Sequence, residues 1–195
     1  SIKKYIKKIK PDYLIHSAAL SRPMDIHEKN IEVSISKNII GTSNIVKACS
    51  SEGIKLIYFS TNYVYQGTKG NYSENDPVLP INNYALSKLG GECAVQMYKN
   101  SLILRICMAE KPFIHKKAFN DVETNFMYHH EFAKNLLKLI DHEGIINVGG
   151  PKKIIYDFAK QTNKKVLSVS SSKILGKQFP KKQTMNINKY LKIIK

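Results

Sequence analysis

Residues 59 to 92 read FSTNYVYQGTKGNYSENDPVLPINNYALSKLGGE, and how this stretch is read decides the fold. An apolar run from Ile54 ends in the hydroxyls of Ser60 and Thr61, and a segment from Asn82 to Lys99 carries Tyr84 and Lys88 four residues apart. On a helix that spacing stacks the two side chains one turn apart on a single face. The ammonium of Lys88 then favours the phenolate of Tyr84, drawing a group that ordinarily titrates near pH ~10 towards proton transfer at neutral pH. A hydroxyl from Ser60 or Thr61 supplies a hydrogen bond to a substrate carbonyl from the other side. These are the parts that carbonyl reduction requires.

Two other Tyr-x-x-x-Lys matches, Tyr65/Lys69 and Tyr156/Lys160, lack this context. The first straddles a Gly-Thr turn, and the second has no apolar run ending in hydroxyls shortly before it. Between the two halves of the quoted stretch, residues 66 to 71 are turn chemistry, and Glu74, Asp76, Pro77 and Pro80 lead to the next helix. Glu74 and Asp76 read as turn residues rather than as a carboxylate pair for glycoside hydrolysis.

The run FSTNYVYQG followed by ENDPVLPINNYALSKLGGE resembles the extended short-chain dehydrogenase/reductase superfamily, and within it the dTDP-4-dehydrorhamnose reductase type. That type has a Ser-Thr-Asp-Tyr-Val-Phe segment before Tyr-Gly-x-x-Lys and a Gly-Glu pair. The resemblance runs from residue 11 to about 107. It implies that Thr61 polarises a sugar ketone, Tyr84 donates the proton, and Lys88 tunes Tyr84 and holds the nicotinamide ribose. It also implies that Ser60, Ala18 and Ala19 lie against the cofactor, NADPH or NADH, and that Asn62 and Tyr63 meet the substrate.

Working outward towards the N-terminus, Tyr13 to Ala19 is a short apolar run ending in small residues, as in a buried parallel strand that delivers its end to a ligand. Small side chains there admit a dinucleotide backbone, or serve packing alone. Ahead of it, Ile2, Ile6 and Ile9 lie at helical spacing among lysines, and Pro11 stops the helix. From about Val33 to Ser51 the positions Ile35, Ile39, Val46 and Cys49 keep one helical face, with Gly53 as its cap. Asn38, in KNIIGTSN, resembles the family's helix-borne asparagine that supports the lysine, and reads equally as a polar surface position.

Towards the C-terminus, Ala85, Leu89, Cys93 and Met97 form an apolar stripe beside Tyr84 and Lys88. Gly90 and Gly91 cost that helix about 1 kcal/mol each relative to Ala, which close packing of helix on sheet would explain. A strand from Ser101 to Cys107 carries Arg105 near its end. There the likeness thins, because Arg105-Ile106-Cys107-Met108-Ala109-Glu110 lacks the family's Trp-Val-Tyr aromatics, and Asn62 stands where an Asp is usual. The remainder reads as a helix around Phe132 to Ile140, a strand and turn over Gly144 to Gly150, a helix from Ile154 to Gln161, a short strand at Val166 to Val169 and a final helix from Asn186 to Ile194.

A chain of 195 residues with 43% hydrophobic content is long enough to bury a real core. Its net charge of +16 raises the question of nucleic acid. Only Arg22 and Arg105 are arginines, however, and the lysines are spread through every segment, so the charge reads as solvated surface. Cys49, Cys93 and Cys107 lack paired spacing and read as reduced, buried thiols, and the histidines show no metal-ligand pattern. No apolar stretch has membrane-spanning length and no signal-peptide pattern is present, so the expectation is a cytoplasmic protein, with a homodimer open.

A nucleotide-binding fold of this kind opens with a strand, a GxxGxxG turn and a helix whose amides hold the pyrophosphate, and no such turn occurs in these 195 residues. By that comparison the sequence is either a piece of a longer protein or a shortened relative without classical dinucleotide binding. The expected fold is α/β, a Rossmann-like parallel sheet with helices on both faces. Residues 1–110 form a partial NAD(P)-binding core with the catalytic segment, and residues 111–195 a substrate-side portion. The expected activity is NAD(P)H-dependent reduction of a nucleotide-linked 4-keto-6-deoxysugar in surface-polysaccharide synthesis. The alternatives are an epimerase or dehydratase of the same superfamily, and a non-catalytic binding subunit resembling the regulatory β subunit of methionine adenosyltransferase.

Overall fold

The run Lys55 to Thr61 offers little polar surface to solvent, and six of its seven residues are buried. It is the second strand of a computed structural model that describes residues 2–195. In chain order, the elements up to that strand's neighbour are α1 (Ile2–Ile9), β1 (Tyr13–His16), α2 (Ile26–Lys29), α3 (Ile31–Ser34), a π-helical segment (Ile35–Ile40), α4 (Gly41–Glu52), β2 (Lys55–Thr61), a 3-10 turn (Asn62–Val64), α5 (Asn83–Gln96) and β3 (Ser101–Ile106). There follow β4 (Met108–Ala109), β5 (Lys117–Phe119), β6 (Glu123–Thr124), β7 (Met127–Tyr128), α6 (His129–Leu136), β8 (Gly144–Val148), β9 (Lys153–Ile154), α7 (Ile155–Lys160), β10 (Leu167–Val169), α8 (Ser171–Leu175) and α9 (Asn188–Ile194).

The chain forms two units. One comprises the chain up to Val64 with Leu79–Arg105 and Ile140–Ile146; the other comprises Tyr65–Val78, Ile106–Leu139 and Asn147–Lys195. The first holds a sheet of order β1-β2-β3-β8, in which β1 and β2 run parallel in a register from Tyr13 opposite Lys55 to His16 opposite Tyr58. Its core gathers Ile6, Ala48, Cys49, Ile54, Leu56, Tyr58, Val95 and Ile103. The architecture is thus the expected α/β one. Gly53, at a φ of 71°, closes α4 in the left-handed conformation with its N–H on the Cys49 carbonyl. Asn82 caps α5, its side chain accepting from the Ala85 N–H at 2.8 Å.

Two helical faces differ from the expected ones. Along Ile31 to Glu52, Cys49 is buried as anticipated, but Ile35 is exposed and Ser34, Asn38 and Thr42 are buried instead. On α5 the buried face carries Ala85, Lys88, Glu92 and Val95, whereas Cys93 is exposed and Met97 is 87% exposed. Cys93 is therefore not one of the buried thiols. The reason is the same in both helices: buried polar groups with partners take the interior positions that hydrophobic spacing assigns to apolar ones.

The second unit is built from short strands, with β4 parallel to β7, β5 parallel to β10 and β6 antiparallel to β9. Its core includes Phe113, Val122, Tyr128, Ile155 and Phe158. Glu74 and Asp76 are turn residues here: Asp76 accepts from the Ser73 N–H at 2.7 Å and Glu74 from the Asn147 N–H at 3.0 Å.

Candidate active site

The first unit brings the residues expected to serve carbonyl reduction to the carboxyl ends of β1 and β2, the end at which open parallel sheets bind ligands. Beyond β1, Ser17, Ala18 and Ala19 are exposed, so the two alanines serve no internal packing role here. At the end of β2, Ser60 and Thr61 are buried, and Ser60 Oγ has no hydrogen-bond partner among the described residues. Thr61 Oγ1 accepts from the Tyr63 N–H at 3.3 Å and lies 3.5 Å from Asn62 Oδ1. The ring of Tyr63 stands edge-on to that of Tyr84, with centroids 6.4 Å apart.

Tyr84 and Lys88 sit one turn apart on α5, as their spacing predicts. The electrostatics differ from the sequence-based expectation. Burial pushes the Tyr84 phenol above its ordinary 10.0, while the Thr61 hydroxyl and the positive charge of Arg22 pull it down. Lys88, only 3% exposed, is itself lowered to about 8 by burial, with the Glu92 carboxylate opposing. Its ammonium lies 4.1 Å from the centroid of the Tyr58 ring. His16, at the end of β1, bonds Thr42 Oγ1 at 3.0 Å and is held down to about 4 by burial and by the charge of Lys88.

A polar frame fixes these groups. Asn38 Nδ2 donates to the Leu20 carbonyl at 2.9 Å and to Ser87 Oγ at 2.8 Å, and its Oδ1 accepts from the Leu20 N–H at 2.8 Å. Ser87 in turn donates to the Tyr84 carbonyl at 2.7 Å. Asn38 is thus an interior strut rather than a surface position. The Tyr58 hydroxyl donates to the Lys88 carbonyl at 3.2 Å, and Glu92 binds Arg105 through Nε and Nη2 at 3.1 and 2.8 Å with both residues buried. The sequence reading missed the roles of His16, His27, Tyr58 and Glu92. Only Glu92 had a signal, as the second member of the Gly-Glu pair.

The structure therefore assembles Thr61 with Tyr84 and places Ser60, Asn62 and Tyr63 on the same strand end, with Lys88 buried one helical turn from Tyr84. The family described as RmlD substrate binding domain matches residues 1–148. The chain belongs to the RmlD substrate binding domain family. As an RmlD-family chain it is 37% identical over 107 residues to methionine adenosyltransferase 2 subunit beta of Xenopus laevis, a match covering 54% of this chain and 32% of that protein. It is 38% identical over 97 residues to a probable low-salt glycan biosynthesis reductase of Haloferax volcanii, covering 49% and 32% of the two chains. The chain thus matches about a third of the length of these curated relatives. Among solved structures, a hypothetical dTDP-4-dehydrorhamnose reductase from Sulfolobus tokodaii superimposes with a TM-score of 0.83 at 24% identity, covering 98% of this chain and 77% of that one. The dTDP-4-dehydrorhamnose reductase of Bacillus anthracis, solved in complex with NADP, gives 0.83 at 24% identity, with 97% and 76% covered. These likenesses establish the Rossmann-like fold.

Proposed function

We propose that this chain carries the carbonyl-reducing site of an NAD(P)H-dependent reductase that acts on a nucleotide-linked 4-keto-6-deoxysugar, in nucleotide-sugar synthesis for surface polysaccharide. The observation that carries this reading is the Thr61 hydroxyl set against the half-buried Tyr84 phenol, with Lys88 buried one turn along the same helix. Membership of the RmlD family, the NADP bound by the Bacillus anthracis protein and the glycan reductase named in Haloferax volcanii support it.

The residues present suit the nicotinamide end of such a cofactor. Ser60 Oγ is a buried polar atom in need of a partner, and Ala18 and Ala19 are small and exposed at the neighbouring strand end. A glycine-rich turn for the diphosphate does not occur in the sequence. When bound, the nicotinamide would supply a hydride to the carbonyl carbon. The remaining work falls to the chain's own residues. Thr61 donates a hydrogen bond to the carbonyl oxygen, and Tyr84 delivers a proton to that oxygen as negative charge builds on it. A phenol held above its ordinary value is fully protonated at pH 7, which suits a proton donor. Arg22 and Lys88 then stabilise the phenolate left behind, and burial keeps water from competing. Asn62 and Tyr63 face the sugar, and residues 111–195 form the substrate-side portion. Asn62 and the missing aromatics after Arg105 fall where the sugar is read, so the particular keto-sugar differs from the family's usual one or is held differently.

Replacing Tyr84→Phe removes the proton donor and leaves the ring. Keto-sugar-dependent NADPH oxidation is expected to vanish while calorimetric binding of the nucleotide sugar persists; undiminished turnover would refute the assignment.

The identity to a subunit of methionine adenosyltransferase 2 favours a second reading, in which the chain serves as a binding subunit of a larger enzyme. Stable co-purification with such an enzyme, together with no NADPH oxidation on any keto-sugar, would select it.

A further inference from the structure

His27, on α2, is fully buried, and the reaction just described does not use it. Its Nδ1 meets Ser34 Oγ at 2.7 Å, its Nε2 has no hydrogen-bond partner among the described residues, and its ring lies against Tyr84 with centroids 5.2 Å apart and planes at 61°. The short α2 segment is fastened to the start of α5. The Glu28 carboxylate accepts from the Asn83 N–H at 3.0 Å and from its side-chain amide at 2.6 Å, and that amide also donates to the His27 carbonyl at 3.2 Å. The imidazole is therefore anchored through the residue next to Tyr84.

Counting protons assigns the tautomer. If Nδ1 carried the hydrogen, it would donate to Ser34, leaving the serine hydroxyl hydrogen and the Nε2 lone pair both buried and unmet. If the serine donates to Nδ1, the hydrogen sits on Nε2 and only that N–H still needs a partner. The tilted aromatic ring beside it offers one, since an N–H directed at a π face is a weak but real hydrogen bond.

We propose that His27 is a positioning residue for Tyr84: Ser34 fixes the neutral imidazole with its proton on Nε2, and that N–H engages the phenol ring and holds it in place. The role rests on the reading of Tyr84 as proton donor. Burial, the larger influence on His27, keeps it uncharged against the weaker pull of the Glu28 carboxylate, so the brace adds no full charge beside the phenol. The N–H dipole presents its positive end to the ring and eases formation of the phenolate.

The test uses the full chain carrying nitrogen-15 histidine and tyrosine labelled with carbon-13 at Cζ. The His27 resonances are expected to show Nε2 protonated and Nδ1 bare. In His27→Phe, which keeps an edge-to-face ring but loses the N–H, the Tyr84 titration midpoint is expected to rise by about half a pH unit. In His27→Ala, kcat is expected to fall roughly tenfold through loss of orientation while KM changes by less than about twofold. A proton on Nδ1, or a Tyr84 resonance unmoved in His27→Phe, overturns the proposal. The spectra of the unsubstituted chain and of His27→Phe decide the matter even where His27→Ala does not fold. These spectra do not depend on turnover: an active Tyr84→Phe enzyme would sink the reductase reading and leave the brace, whereas an unmoved resonance would sink the brace and leave the reading.

Discussion

Lys88 shows how a single functional group can work against the fold that holds it. Its value of about 8 lies below the ordinary 10.5, so the unfolded chain holds that proton more tightly than the folded one. The resulting penalty is full below about pH 8 and disappears as the pH climbs from there towards 10.5, so stability should rise across that window. Tyr84, whose value is raised, acts in the opposite sense only above pH 10. Replacing Lys88→Met should therefore abolish turnover yet raise the melting temperature at pH 7, with a gain of up to about 3 kcal/mol that shrinks above pH 8. Calorimetry at pH 7 and pH 10 measures both arms, and equal melting shifts at the two pH values would contradict the account. That Tyr84, Lys88 and Thr61 come near one another was legible from a helical Tyr/Lys spacing set behind an apolar run ending in hydroxyls, with the family resemblance selecting Thr61 over Ser60. His16 and His27 were not, because what makes each of them interior is a hydroxyl partner on a later helix, Thr42 of α4 for the first and Ser34 of α3 for the second.

At the level of elements, α5 is held against its neighbours through two glycines of unequal importance. A Cβ on Gly90 would meet the Ile39 side chain, its Cδ1 at 2.8 Å and its Cγ1 at 2.9 Å, so that half-buried side chain has to shift to make room. A Cβ on Gly91 would collide with the Tyr58 hydroxyl and come within 3.1 Å of the Asn38 carbonyl, neither of which is free to move. Gly90→Ala should cost less than Gly91→Ala, because the Ile39 side chain can shift and helix propensity offsets part of the clash, whereas Gly91→Ala should destabilise by roughly 2–3 kcal/mol. Chemical denaturation of both variants, and of Gly91→Ala combined with Tyr58→Phe, provides the measurement. Partial recovery in the double variant identifies the hydroxyl as the obstacle. The sequence announced this helix, its close packing and most of its boundaries. Its apolar stripe was drawn over Ala85, Leu89, Cys93 and Met97; Ala85 is buried, but Cys93 and Met97 are exposed, because Lys88 and Glu92 take the interior beside Tyr58 and Arg105.

For the molecule as a whole, the charge of +16 comes from lysines spread along the entire sequence. Such a surface attracts polyanions without reading them. Binding to duplex DNA in a mobility-shift assay should show no sequence preference and should be lost by about 0.2 M salt. Persistent binding at that salt would point to an organised nucleic-acid surface. The α/β class was legible because buried strands ending in small or hydroxyl residues alternate with helices over the first half of the chain. The short strands of the second unit gave weaker signals, since strands of two or three residues are too brief to establish a period.

The π-helical segment between α3 and α4 has a lasting consequence. A π turn holds one residue more than the α-helix would need for the same advance, and such turns are frequent at functional sites. Removing that surplus residue at solvent-facing Lys37 would leave a regular helix, but α3, before the cut, would turn about the axis by about 100° relative to α4. With α2 held by Asn83 and β1 held on β2, Ser34 would leave the His27 imidazole while Thr42 kept that of His16. The extra residue is therefore an indexing device that sets the angular phase of one half of a helix against the other, and a family member lacking it would have to brace its tyrosine by other means.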